Sequence, residues 1–144
     1  MLTHIEQKKL SYTPQQMYAL VAAVDLYSEF LPWCVASRIN RRESDEEFYA
    51  DLVVGYKMIR EHFSSKVMVE EGRSIHIEYL KGPLKHLKNQ WRFSDAEGGS
   101  CLIDFSVEFE FKNRALQGLA QVFFKEVIHR MVDAFETRAR EVYG

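Results

Sequence analysis

The sequence has few of the residues that small secreted or metal-dependent domains use to hold their fold together. It contains two cysteines, Cys34 and Cys101, which lie far apart in no metal-ligand spacing, so we expect reduced thiols rather than a disulfide framework. No apolar run approaches the roughly 18–20 residues of a membrane span. Residues 1–6 contain no apolar segment of the signal-peptide type. These absences favour a cytoplasmic chain that meets a membrane only from outside.

Strong charge and catalytic motifs are also missing. The formal net charge is −2, which provides no basic field for non-specific DNA binding. The five histidines form no paired-ligand spacing, and there is no phosphate-binding glycine loop, nucleophile elbow or local Cys–His motif. His76 and Glu78 could form an acid/base pair, but two polar neighbours on a solvated strand face explain them more simply. The sequence therefore predicts no enzyme, no catalytic residue, no metal site and no cofactor.

What the chain does contain is a large supply of bulky apolar side chains. Of its 144 residues, 47% are hydrophobic and 13% are aromatic, a balance typical of a globular protein. The length is ordinary for one domain, and no repeat, low-complexity tract or linker interrupts it. We therefore expect a single domain over residues 1–144, with either a dense core or a lined pocket.

The N-terminal third predicts one strand and two short helices. Residues 4–11 alternate weakly and are interpreted as a strand. Thr13, Pro14 and Gln16 then form a capping-box start for a helix. Asp25 is predicted to cap a second short helix, which Pro32 ends.

The middle of the chain predicts strands. The last is the clearest, because apolar residues from Cys101 to Phe111 alternate strictly with polar ones, as in an antiparallel sheet that is covered on one face. Gly55 predicts a bulge or a sharp bend within its strand. The predicted strands are 37–42, 47–59, 63–69, 75–79, 87–93 and 101–111.

The chain closes with a long amphipathic helix, capped by Asn113 and running to about Tyr143. About thirty residues give a rod of roughly 45 Å, which must cross the whole apolar face of the sheet. The fold class is thus α+β, with a curved antiparallel sheet of about seven strands around a long C-terminal helix. The predicted apolar arc of the helix comprises Leu116, Ala120, Phe123, Phe124, Val127, Met131, Ala134, Phe135 and Val142, opposite Lys125, His129, Asp133, Glu136 and Arg140.

Four segments, 27–34 (YSEFLPWC), 82–93 (GPLKHLKNQWRF), 109–111 (FEF) and 138–143 (RAREVY), resemble in sequence and order the coenzyme Q-binding START-like family of the polyketide cyclase superfamily. The resemblance implies a helix-grip fold with a hydrophobic tunnel between sheet and helix. It also implies a bound polyprenyl quinone such as ubiquinone, carried without chemical change in support of respiration. Bacterial members include ribosome association toxins, and the likeness does not separate the two roles.

The resemblance implies that a cluster after the short helices lines the tunnel entrance and that inward residues of the sheet and the long helix line its walls. The alternative is that all of them are ordinary core, because periodicity cannot reveal a void. Each buried CH₂ contributes about 0.8 kcal/mol, so a few isoprene units suffice for micromolar affinity. The implied ligand-binding residues are Phe30, Leu31, Pro32, Trp33, Tyr56, Trp91, Phe93, Phe105, Phe109, Phe123 and Val127.

Residues 81–88 combine lysines with leucines around a Gly-Pro turn. One interpretation is a mobile gate that touches anionic lipid headgroups, since clustered basic residues gain about 1 kcal/mol each near such a surface. The other is a solvated loop. The gate residues would be Lys81, Pro83, Leu84, Lys85 and Lys88.

Two rival functions remain open. A ribosome-binding regulator needs a basic patch, for which acidic neighbours at 43 and 45–47 dilute the available cations. A cyclase needs a polar cavity residue with a perturbed pKa, and the sequence nominates none. The candidate cations for a ribosome contact are Arg38, Arg41, Arg42, Lys85, Lys88 and Arg92.

Overall fold

A computed structural model describes residues 1–56 and 58–144, with only the backbone of Tyr56 included. A strand, a helix and a 3₁₀ turn come first, six strands follow, and one long helix closes the fold. The elements are β1 (Leu2–Leu10), α1 (Pro14–Ala22), a 3₁₀ helix (Val24–Glu29), β2 (Cys34–Ser44), β3 (Glu47–Tyr56), β4 (Ile59–Glu70), β5 (Ser74–Lys81), β6 (Leu84–Ala96), a 3₁₀ turn (Glu97–Gly99), β7 (Ser100–Phe111) and α2 (Arg114–Tyr143).

The strands form one antiparallel sheet in the order β1-β7-β6-β5-β4-β3-β2. Strands β2 to β7 run as a continuous meander, and β1 returns to pair with β7 at the far edge. The sheet curves around α2, which covers its apolar face. The predicted fold class, a curved sheet of about seven strands with a long C-terminal helix, is confirmed.

The two predicted short helices differ in kind. The Thr13 hydroxyl accepts the Gln16 N–H at 3.1 Å and the Gln16 side chain accepts the Thr13 N–H at 2.9 Å, so the capping box of α1 is confirmed. The second helix is 3₁₀, and Ala23 precedes it without a side-chain cap, so the Asp25 cap is wrong. The Asp25 carbonyl instead accepts the Ser37 hydroxyl at 3.0 Å, which ties this turn to β2.

The single strand predicted over 47–59 is wrong. Tyr56 pairs with Ile59, so the chain reverses between β3 and β4, and Met58 is 99% exposed at that turn. Gly55 pairs in register with Arg60, whereas the bulges of the neighbouring β2–β3 pair lie in β2. Glycine is needed there for another reason, since a Cβ at position 55 would lie 2.7 Å from Val35 Cγ2.

Helix α2 is buried at one end only. The structure describes all of it, and its four buried residues, Ile128, Met131, Phe135 and Ala139, all lie from the middle of the helix onward. Two predictions about its faces are wrong: Val142 is exposed, and Glu136 is half-buried because it pairs with Lys8 of β1.

The contacts of α2 with the rest of the chain reinforce this asymmetry. Near its C-terminus, Arg138 pairs with Glu29 at 3.0 Å, and the Tyr143 hydroxyl donates to the Gln16 carbonyl at 2.9 Å. Near its N-terminus, Gln117 accepts the Phe111 N–H at 2.8 Å and Asn113 caps the first turn. The C-terminal half is therefore part of the core, while residues 114–127 form a half-buried roof over the other end of the sheet.

Candidate functional site

Two adjoining chambers lie between the sheet and α2. The inner chamber, of about 230 Å³, is next to the core, and the outer one, of about 360 Å³, lies under the roof formed by residues 114–127. Trp33, Val54, Phe63 and Leu87 line both chambers, so the two adjoin at these four side chains. Volumes of about 300–1,000 Å³ are typical of small-molecule sites. The fold thus contains the void that periodicity alone could not reveal.

The outer chamber is almost wholly apolar. The indole Nε1 of Trp33, the one side-chain N–H in its described lining, is buried and has no acceptor within reach among the described residues. Met58 and Leu119 line this chamber and are exposed, so it reaches the surface between the β3–β4 turn and α2. Its other lining residues are Val54, Ile59, Phe63, Leu84, Leu87, Phe109, Phe111, Leu116, Ala120, Phe123, Phe124 and Val127.

The inner chamber has aromatic walls and a few polar groups. The rings of Trp91 and Phe105 lie 4.5 Å apart between centroids. The Tyr27 hydroxyl donates to the Val21 carbonyl, and burial raises the pKa of this phenol far above its ordinary value, so it stays neutral. Besides the indoles of Trp33 and Trp91, Ser65 and Asn89 are the other polar side chains of this chamber within the described part of the chain.

Seven of the eleven ligand-binding residues implied by the sequence line a chamber. Their placement follows from the alternation of the strands and from the apolar arc of α2, which both aim side chains at the space between sheet and helix. Leu31, Trp33, Trp91 and Phe105 line the inner chamber, and Trp33, Phe109, Phe123 and Val127 line the outer one.

Three others, Phe30, Pro32 and Phe93, line neither chamber in the described structure. Phe30 packs beside the chambers, with its ring 5.3 Å from that of Phe135. Pro32 is exposed, although Leu31 and Trp33 on either side of it line the inner chamber. Phe93 lies beyond the inner chamber, where its ring meets that of Tyr18 at 5.9 Å. The side chain of Tyr56 lies outside the described residues.

The predicted gate loop over residues 81–88 is wrong as a structural element. Lys81 ends β5 and Leu84 begins β6, which leaves only Gly82 and Pro83 between them. The Tyr79 hydroxyl accepts the Leu84 N–H at 2.9 Å, and a Cβ on Gly82 would lie 2.7 Å from the His62 carbonyl oxygen. The pairing of β5 with β6 ends at Glu78 with Lys88, and the residues between them are held instead by β4, β7 and the Tyr79 hydroxyl. Leu84 lines the outer chamber, while Lys81, Lys85 and Lys88 are exposed beside it.

Sequence reasoning missed several lining residues. Leu52, Ile77 and Met131 of the inner chamber belong to apolar stripes that predict only burial. Asn89 carried a clearer signal, because it is a polar residue between the inward-facing Leu87 and Trp91 of β6. A polar side chain in an apolar alternation is the pattern that could have drawn attention to it.

The two cysteines belong to the core and line neither chamber. Cys34 and Cys101 are buried free thiols, and burial raises the pKa of both, that of Cys101 to about 11, so they stay protonated at neutral pH. Across residues 1–56 and 58–144 no charged side chain is buried and no group of His, Cys, Asp or Glu could hold a metal. Within the same residues, no helix has the length and hydrophobicity needed to cross a bilayer.

A long C-terminal helix laid over an apolar cavity in a curved antiparallel sheet defines the START-like class of ligand-binding folds. A START superfamily protein from Mycobacterium smegmatis shares this fold with a TM-score of 0.83 at 14% identity, covering 97% of this chain and 98% of that one. An 18 kDa Caulobacter crescentus protein is similar at 33% identity, with a TM-score of 0.81 over 100% of this chain and 99% of the other.

Within that class, the chain belongs to the polyketide cyclase / dehydrase and lipid transport family, whose model matches residues 10–136. It is 37% identical over 147 residues to the mitochondrial coenzyme Q-binding protein COQ10 homolog B of Xenopus laevis, covering 99% of this chain and 60% of that protein. It is 35% identical to the ribosome association toxin RatA of Escherichia coli K12, over 92% of this chain and 84% of that protein. The family inferred from the sequence is confirmed.

Proposed function

We propose that the protein binds a hydrophobic lipid, a polyprenyl quinone such as ubiquinone, and carries it without chemical change. The observation that supports this most directly is the outer chamber, whose described walls are hydrocarbon and aromatic surface. The quinone class comes from the 37% identity to a coenzyme Q-binding protein, of whose length this chain spans 60%. The shape and the chemistry of the cavity suit a flexible apolar tail.

The magnitude of tail burial is sufficient for useful affinity. Each CH₂ moved from water into an apolar site gains about 0.8 kcal/mol. Micromolar binding requires about 8 kcal/mol of net free energy, after the loss of translational freedom and of tail flexibility. A few isoprene units meet that requirement without any polar contact. The low polarity of the outer chamber is therefore compatible with tight binding.

The direct test is organic extraction of protein purified from its native host, followed by mass spectrometry. We expect a quinone to co-purify. We also expect added ubiquinone to quench the fluorescence of Trp33 and Trp91 saturably, because both indoles line the inner chamber. Reproducible absence of a quinone from the extract, together with no saturable quenching, would contradict the proposal.

The mouth of the outer chamber suggests where the ligand is exchanged. Met58, Leu119 and Val122 are 99%, 43% and 73% exposed, a concentration of apolar surface on the β3–β4 turn and the adjacent half of α2. Lys112 and Arg114 are exposed at the same end of the helix. We therefore propose that the protein is cytoplasmic and docks peripherally on the inner membrane. There it would deliver quinone for respiration or withhold it.

Replacing both Met58 and Val122 with Glu is expected to lower binding to phosphatidylglycerol-containing vesicles at least several-fold, because two charges then meet the acyl region. Vesicle co-sedimentation measures it. Ile5→Glu is the matched control, since Ile5 is 79% exposed but lies on edge strand β1. Equal losses for both proteins, or no loss for the double variant, would contradict the docking surface.

Exchange of Lys81, Lys85 and Lys88 for Glu separately tests the predicted headgroup contacts. Unchanged binding to anionic vesicles would contradict those contacts.

A second candidate function is a regulator that binds the ribosome, favoured by the 35% identity to RatA. Two of the six candidate cations already have acidic partners, because Arg38 pairs with Asp51 at 3.1 Å and Arg41 with Glu43 at 2.5 Å. Phosphate contacts make binding strongly salt-dependent. Ribosome co-sedimentation that falls steeply with salt would support this function over quinone transport.

A cyclase is the third candidate function, and the side chains that line the chambers favour it least. Acid/base catalysis needs a side chain that exchanges a proton near neutral pH. Among the described lining residues of the inner chamber, the polar side chains are the neutral Tyr27 phenol, Ser65, Asn89 and the indoles of Trp33 and Trp91. These groups are suited to hydrogen bonding rather than to proton transfer.

A further inference from the structure

Asn89 is a polar residue at a position where the fold needs an apolar one. It lies on the inward face of β6, between Leu87 and Trp91, and lines the inner chamber. A leucine there would continue the alternation and would avoid the desolvation of a carboxamide. Polar residues that break a local pattern in this way tend to be functional.

The side chain is held in place but only partly used. Its Nδ2 donates to the Ser106 carbonyl oxygen at 3.0 Å, across the pairing of β6 with β7. A carboxamide has two N–H donors and an oxygen that accepts. Within the described residues, its second N–H and its Oδ1 have no partner. The bond to Ser106 therefore fixes the orientation of a group that still has hydrogen-bonding capacity.

The surroundings of Asn89 suit the ring of an amphiphile. The Trp91 and Phe105 rings provide aromatic walls, and Ser65 contributes a hydroxyl from β4, two strands away in the sheet. The proton of the Tyr27 hydroxyl is already committed to the Val21 carbonyl. The outer chamber, by contrast, presents hydrocarbon to its occupant.

We propose that the inner chamber is a head-group subsite in which Asn89 hydrogen-bonds an oxygen of the ligand's ring. The tail then extends past the four side chains that line both chambers into the outer chamber, so the ligand enters ring first. The remaining Nδ2–H can donate to a quinone carbonyl and Oδ1 can accept from a quinol hydroxyl, so the site accommodates both redox states. This inference rests on the proposed function and adds the orientation of the ligand to it.

The test compares Asn89→Leu with Gln90→Leu, a neighbour on the same strand that faces the opposite side of the sheet and lines a shallow polar groove. Two probes are titrated: ubiquinone with two isoprene units, and a hydrocarbon with the same tail and no ring. We expect Asn89→Leu to weaken quinone binding about 5- to 10-fold, the contribution of one uncharged hydrogen bond, and to leave hydrocarbon binding unchanged. Gln90→Leu should leave the affinity for both probes unchanged.

Infrared spectroscopy of the wild-type protein provides a readout that does not depend on the folding of a variant. The carbonyl band of bound, isotope-labelled quinone should shift to lower frequency relative to the quinone in hydrocarbon solvent, and Asn89→Leu should reverse the shift. An unshifted band, unchanged quinone affinity in Asn89→Leu, or an equal loss for both probes would overturn the head-group subsite. If the wild type still binds both probes in such a case, the head-group subsite is refuted but the proposed carrier function is not. If the wild type binds neither probe, both the subsite and the carrier function are refuted.

Discussion

Replacement of Ala120 with Trp is expected to lower quinone affinity about 100-fold, because the indole would occupy the space in which the tail lies. Ala120 is half-buried on α2 and faces the outer chamber. Displacing three or four CH₂ groups from the chamber removes about 2.7 kcal/mol of binding free energy, which corresponds to that factor. Filling an existing void is commonly neutral or stabilising for the fold. Tryptophan fluorescence and equilibrium partitioning of labelled quinone would measure the affinity.

Gln121→Trp is the matched control, since Gln121 is the next residue of the same helix and is exposed. It adds the same side chain outside the chamber and should leave binding unchanged. Thermal unfolding of both variants establishes that each is folded. An Ala120→Trp protein with near-normal affinity would show that the tail lies elsewhere, and so would an equal loss in the control.

Replacement of Phe135 with Ala is expected to lower the free energy of unfolding by about 3–5 kcal/mol, the range found when a buried aromatic side chain is truncated. Phe135 is buried and joins three elements. Its ring lies 5.3 Å from that of Phe30 and 5.6 Å from those of Tyr27 and Trp91. Removing the ring therefore leaves a cavity where α2, the 3₁₀ helix and the sheet meet. Urea denaturation followed by far-UV circular dichroism measures the loss.

The comparison for this prediction is Leu119→Ala, on the same helix over the outer chamber. Leu119 is partly exposed and lines an existing void, so its truncation should cost about 1 kcal/mol or less. A similar cost for the two substitutions would refute the unequal anchoring of the two halves of α2. A much larger cost for Phe135→Ala would support the unequal anchoring.

The order of the elements could be predicted because the physical signals were local. Strict alternation from Cys101 to Phe111 and the caps at Thr13 and Asn113 determine β7, α1 and α2 with little help from the rest of the chain. The β3–β4 turn was missed because the apolar alternation runs on through Met58, a position that tertiary structure leaves exposed. Residues 81–88 were mistaken for a loop because Gly82 and Pro83 suggest a longer break than the two residues they occupy.

The site could be predicted only in part, because burial and lining a void produce the same sequence pattern. Trp91 and Phe93 are both inward-facing aromatic residues of β6, yet only Trp91 lines a chamber, since Phe93 packs against Tyr18 of α1. The difference depends on how far a helix stands from the sheet at each point. That distance is set by contacts between residues remote in sequence, such as Arg138 with Glu29.

The unequal anchoring of α2 has a consequence for the stability of the protein if it carries a lipid as proposed. Residues 114–127 have no buried side chain of their own, so a bound tail beneath them would add the contacts that protein side chains supply elsewhere. A ligand that binds only the folded chain stabilises it in proportion to the logarithm of its concentration. We therefore expect the lipid-bound protein to resist heat and proteolysis better than the empty one.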